Sequence, residues 1–279
     1  MDRTQEASLL CALTKRAATA FALLLLALAL LLSGPLSMLA LQRIDAVADT
    51  PISFERTSAG LAPSPADTPE AVVQVYAVRL YDWRGAFAVH TWIAAKPANA
   101  SAYTTYQVYQ WRTPHVSVSQ QIPDRMRRGT APMLLGETRG ATAERAIEEI
   151  RRAVADYPAA NHYRAWPGPN SNTFIAWVLR RTPELSVVLP ATAIGKDYPI
   201  DGFLASTPSG TGYQLSLAGM LGISLGLHEG IEFNLLGLNF GTDFLHPAIK
   251  LPGIGRIGMP AYAALDTVPA NDAETGANP

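Results

Sequence analysis

The balance of apolar and polar positions changes several times along the chain. Residues 17–41 carry no charge and are interrupted only by small polar residues, Gly34 and Pro35. A helix needs about 20 such residues to cross a hydrocarbon core, so this run predicts one transmembrane helix. Residues 1–16 precede it, and Lys15 and Arg16 at its start favour a cytoplasmic N-terminus. A signal peptide is the competing reading, with Ala46-Val47-Ala48 as a distant cleavage site, but the length favours a retained anchor. Residues 42–70, with Pro51, Pro63, Pro65 and Pro69 among Ser, Thr and Ala, read as a linker that does not pack.

From Ala71 the pattern becomes that of strands. Val72–Leu80, Phe87–Ala95 and Tyr103–Trp111 are rich in β-branched and aromatic residues, with turns at Asp82–Gly85 and Lys96–Asn99. They predict an antiparallel meander. Residues 141–157 switch to a helical period: Ala143, Ile147, Ile150 and Val154 share one face, while Glu144, Glu148, Arg151 and Arg152 lie opposite. Between Gly202 and Gly258 repeated glycines separate short apolar runs, which read as short strands and tight turns. The fold class expected is α+β, an antiparallel sheet with packed helices, in one globular domain over 71–258. The acidic Ala-, Pro- and Asn-rich tail, 259–279, reads as disordered.

One stretch joins these parts. In Trp166-Pro-Gly-Pro-Asn-Ser-Asn-Thr-Phe174 the prolines arrest the backbone, and an amphipathic run follows at once. Asn170, Ser171 and Asn172 suit the free N–H groups of a helix start, so a helix over 171–181 is predicted. A nucleophile there would profit from the helix dipole; a plain cap would look the same. Thr182-Pro183-Glu184 predicts a further short helix.

Composition narrows the chemistry. The formal net charge is -1, which argues against nucleic acid as a partner. The basic cluster Arg125-Met-Arg-Arg128 reads as a solvated loop. Cys11, the only cysteine, precedes the apolar run, so the globular part has neither disulfide nor thiol nucleophile. The five histidines show no compact zinc spacing, and no metal or other cofactor is expected. His90 is singled out by its place in a hairpin. Closure at residues 98 and 99 sets Gln107 opposite it, and opposed residues share a face. A register offset would bring in Tyr106 or Tyr109 instead.

The residues at 71–258 resemble an uncharacterised bacterial family, domain of unknown function 3750. The segments that carry the likeness are His-Thr-Trp at 90–92, Gly-Pro-Asn-Ser-Asn-Thr-Phe at 168–174 and Leu-Pro-Gly-Ile-Gly-Arg-Ile-Gly at 251–258. More distantly, Asn170-Ser171-Asn172-Thr173-Phe174 resembles the Asn-Cys-Asn-x-Phe helix start of circularly permuted papain-like proteins related to NlpC/P60 peptidases. In those proteins a strand histidine precedes the nucleophile helix, as His90 precedes Ser171 here. The likeness implies a permuted papain-like core with Ser171 in the place of the catalytic cysteine. With residues 1–16 cytoplasmic, the expectation is a cell-envelope protein, single-pass in a bacterial inner membrane, whose domain faces the periplasm or cell exterior.

Two functions follow from this resemblance. In the first, the chain is a serine-dependent amide or ester hydrolase or acyltransferase, with Ser171 as nucleophile, His90 as base and Gln107 as orienting residue. In the second, the chain is a degenerate, membrane-anchored domain that binds an envelope component or a protein partner, with Asn170, Asn172, Trp92 and Trp166 as binding residues. The anchor orientation is testable by itself: Cys11 should stay unlabelled when an impermeant thiol reagent is added to intact cells.

Overall fold

The computed structural model describes residues 3–46 and 57–261. Most of the sequence-predicted tail, and residues 47–56 of the predicted linker, lie outside that range. Helix α1, Arg3–Ala46, contains the one stretch among the described residues long and apolar enough to cross a membrane, Ala12–Leu41. Its side chains are exposed from Ala12 to Leu30. Between Leu31 and Leu39 one side of the helix is seated on the rest of the protein, with Leu31, Gly34 and Pro35 buried. Both lie against the Pro252–Ile254 turn: a Cβ added at Gly34 would strike the Pro252 carbonyl, and one at Gly253 (φ +69°) would meet Pro35 N at 2.6 Å.

Residues 57–70 pack rather than link. The Asp124 carboxylate accepts hydrogen bonds from Ser58 Oγ and from the Leu61 and Ala62 amides, and the Lys96 ammonium reaches the Thr68 and Glu70 carbonyls. Strand β1, Val72–Arg79, then leads through a 3-10 turn at Asp82–Ala86 into β2, Val89–Lys96. Next come β3 (Thr104–Val108), β4 (Val116–Gln120) and β5 (Met133–Arg139). The five form an antiparallel sheet in the order β4-β3-β2-β1-β5. The meander read from the sequence is its centre. β4 and β5 were not anticipated; β5 comes last in the chain and returns to flank β1.

Helix α2, Gly140–Ala155, carries the apolar stripe expected of it, with Ala143, Ala146, Ile147, Ile150 and Ala153 buried. Helix α3, Ser171–Arg180, is buried on all sides from Ser171 to Leu179. Side chains such as Phe174, Ile175 and Val178 each contribute about 2 kcal/mol by leaving water. Both helices cover one face of the sheet. Val73, Val75, Ala77, Val89 and Ile93 point to that side; Val72, Tyr76, Val78, Trp92 and Ala94 point to the other and pack with Tyr103. The helix expected at Thr182–Glu184 is instead a turn, closed by the Leu185 amide on the Thr182 carbonyl.

The glycine-punctuated region folds as expected into short strands, but they form a second sheet. β6 (Leu204–Ser206), β7 (Gly212–Leu217), β8 (Leu221–Gly226), β9 (Gly230–Leu235), β10 (Leu238–Asp243), β11 (Ala248–Leu251) and β12 (Gly255–Gly258) follow one another as an antiparallel meander. Its buried face is polar. Lys196 donates to Asp197 Oδ1 at 3.1 Å and to Glu232 Oε2 at 2.6 Å, and Lys250 pairs with the other Glu232 oxygen. Asn234 and Asn239 donate to Asp197 Oδ2 at 3.1 and 2.7 Å. Burial alone raises a carboxyl pKa, but the two lysines outweigh it and hold Glu232 down at about 2.

Glu232→Gln should therefore leave two buried ammonium groups short of their counter-charge and cost about 3–5 kcal/mol, read as a lower urea midpoint at pH 7. Because the folded Glu232 sits at about 2 against 4.5 in the unfolded chain, its contribution is complete above pH 4.5 and is lost as pH falls toward 2. The variant should lack that part of the acid sensitivity.

Candidate functional site

The helix start read from the sequence is built as a rigid joint. Asn170 caps α3, its side-chain oxygen accepting from the Asn172 and Thr173 amides, while its amide nitrogen donates to the Ala165 and Ile194 carbonyls, each at 3.0 Å. Thr173 Oγ1 completes the capping box on the Asn170 amide. Gly195, at φ +97°, passes so close that any Cβ there would run into the Asn170 side chain. Asn172 donates to the Val89 and Ile194 carbonyls at 3.0 and 2.8 Å and accepts from Thr91 Oγ1 at 2.9 Å. These two side chains spend their hydrogen bonds inside the fold. They clamp β2, α3 and the 194–195 segment together.

His90 and Ser171 do not share a pocket. His90 pairs with Val78 in the sheet, on the side of Trp92 and Tyr76, whereas α3 lies on the opposite face and meets β2 through Thr91. Ser171 opens α3 on that opposite face and is buried. Strand side chains alternate, so a one-residue difference decides the side.

The His90–Gln107 contact does form. β2 and β3 pair with Ile93 opposite Tyr106, two positions away from the expected register. Carried on, this sets Tyr109 across from His90 and Gln107 one diagonal step away. The Tyr109 ring lies nearly parallel to the imidazole, with centroids 6.1 Å apart, and Gln107 Oε1 is 3.3 Å from His90 Nε2. Arg127 donates to the same Gln107 oxygen at 3.0 Å. An amide oxygen only accepts, so His90 donates from Nε2, which leaves the lone pair on Nδ1. Burial first, then the Arg127 charge, push the His90 pKa down to about 3, against the upward pull of Gln107. The imidazole is therefore neutral at physiological pH.

Around this group the sheet face becomes a cavity of about 550 Å³. Val78, Arg79 and Leu80 come from β1 and its end, Tyr81, Asp82 and Trp83 from the 3-10 turn, and Arg127, Arg128 and Thr130 from the loop before β5; Leu39 of α1 closes one wall. The basic cluster is no free loop. The Arg127 guanidinium lies 5.2 Å from the Trp92 ring centre, and that of Arg128 lies 3.9 Å from Tyr81 and 4.0 Å from Asp82. Trp92 sits beneath Arg127 with its indole N–H on the Pro123 carbonyl. Trp166, half-exposed, instead joins the first sheet's loops to the second by donating to the Leu236 carbonyl. No group of His, Cys, Asp and Glu among the described residues has a metal-binding arrangement.

Arg127 and Arg128, read from the sequence as part of a solvated loop, instead lie against Trp92 and Tyr81. Arg128 and Gly129, both at positive φ, form the turn that the Arg127–Thr130 bridge closes.

Residues 70–198 match a family model described as protein of unknown function (DUF3750). The match ends before the second sheet, short of the 71–258 span suggested by the motifs. No curated protein and no solved structure matches the chain.

Because folded His90 stays neutral down to about pH 3 while the unfolded imidazole protonates near 6.5, the unfolded chain binds more protons in that window. Stability should thus fall as pH is lowered, by about 2 kcal/mol between pH 7 and pH 5 from this residue. Urea midpoints at the two pH values should show a smaller drop for His90→Asn than for the unaltered chain.

Proposed function

With residues 70–198 belonging to this family of unknown function, we propose that the chain is a membrane-anchored binding domain that takes an anionic amphiphile into the His90 cavity. One observation carries the reading. The cavity combines an apolar wall that includes Leu39 of the anchor helix with the guanidinium groups of Arg127 and Arg128. A ligand with a negative head and an apolar portion suits both halves. His90, neutral and held by Gln107, adds a polar contact without a competing charge.

The permuted papain-like reading, with Ser171 as nucleophile and His90 as base, needs those residues on one side of the sheet. The β2 register, which turns Thr91 toward α3, favours binding over hydrolysis. The test uses the full chain in nanodiscs. Short-chain phosphatidylglycerol should change the tryptophan emission of Trp83 and Trp92 saturably, and short-chain phosphatidylcholine should do so far less. Arg127→Ala should weaken the anionic lipid about tenfold, the value of one charge-assisted contact, and Ser171→Ala should leave it unchanged. Labelling of Ser171 by a serine-directed covalent probe, dependent on His90, would overturn the binding reading in favour of a hydrolase.

A further inference from the structure

The second sheet has its polarity turned inside out. Its inward positions carry Gln214, Ser224, Glu232, Asn234 and Lys250, which are buried. The alternate positions carry Leu215, Leu225, Phe233, Phe240, Ile249 and Ile257, all at least 36% exposed. Cross-strand pairing aligns them: Leu215 faces Ile223, Ile223 faces Phe233, Phe233 faces Phe240, and Ile249 faces Ile257. Every outward position from β6 to β12 is apolar, Ser, Thr, Tyr or Gly, with no Asp, Glu, Lys or Arg among them. Soluble surfaces rarely leave an apolar patch of that extent in water.

The anchor helix indicates what covers it. The part of α1 that is both exposed and uncharged, Ala17–Leu30, is 14 residues long and rises about 21 Å, short of a hydrocarbon core of about 30 Å, so a bilayer crossed by this helix reaches down to its docked part. The next residues are already docked on the protein, and they dock on this same sheet, with Gly34 and Pro35 against the β11–β12 turn. The edge of the second sheet is therefore fixed where the helix leaves the bilayer. Its strands, of three to six residues, are too short to cross, since a spanning strand needs about 9–11.

We propose that the apolar face of the seven-stranded sheet lies on the surface of the bilayer that α1 crosses, so that the protein is held by a spanning helix and by an interfacial sheet. This rests on the reading of α1 as a membrane anchor, and the experiment separates the two. In the full chain carrying Cys11→Ser, a bimane fluorophore is attached through Leu24→Cys on the helix, Phe233→Cys and Ile249→Cys on the sheet, or Glu148→Cys on the exposed side of α2. Each protein is reconstituted into phosphatidylcholine vesicles containing doxyl-labelled lipid. Quenching at 24, 233 and 249, with none at 148, is the expected result. Quenching at 24 alone overturns the sheet contact and leaves the anchor intact. If the sheet positions are shielded from a water-soluble quencher but not reached by the lipid quencher, a second copy covers the face and the proposal also falls. Quenching at none of the four removes the anchor, and the sheet contact with it.

Discussion

Two sheets of opposite character meet in this protein, and a short segment reconciles them. Ile194 offers its carbonyl to Asn170 and Asn172, which tie it to β2 and α3, and two residues later Lys196 and Asp197 enter the polar floor of the second sheet. Paired buried charges recover little net stability once their dehydration is counted. Their effect here is positional. Glu232 can be balanced only where Lys196 and Lys250 both reach it, so the ion cluster permits one register of β9 against β10 and β11. Arg180 extends the same logic from α3, donating to the Ser206 carbonyl and to Gln214.

Much of the first sheet was legible because its signals are local. The α2 stripe follows a 3.6-residue period, and the Asn170 cap announces α3 within a few residues. The His90–Gln107 contact survived an error of two positions because Gln107 reaches diagonally. What failed was the choice of face. Every residue of β2 is buried, so His90, Thr91 and Trp92 carry no alternation that separates inside from outside. Parity alone decides whether a strand side chain meets α3, and sequence does not display parity when both faces are covered.

The second sheet presents the reverse difficulty. Its alternation is clear, as in Tyr213-Gln214-Leu215-Ser216-Leu217, yet the usual assignment of apolar residues to the interior is inverted. Only the long-range partners Lys196, Asp197 and Arg180 reveal that the polar side is the buried one. The cavity was hidden for a similar reason. Arg127 stands 20 positions from Gln107, and Leu39 lies beyond an intervening segment, so nothing local joins them to His90.

The seat of α1 on the Pro252–Ile254 turn bears on where the chain tolerates being cut. Arg79 donates to the Gly253 and Ile254 carbonyls and to Gly85, so the turn that receives Pro35 also braces one wall of the His90 cavity. A version that begins after Ala46 strips that turn of its cover and removes Leu39 from the cavity. One that begins at Leu31 keeps both. The change from exposed to docked thus falls inside a single continuous helix, at residue 31.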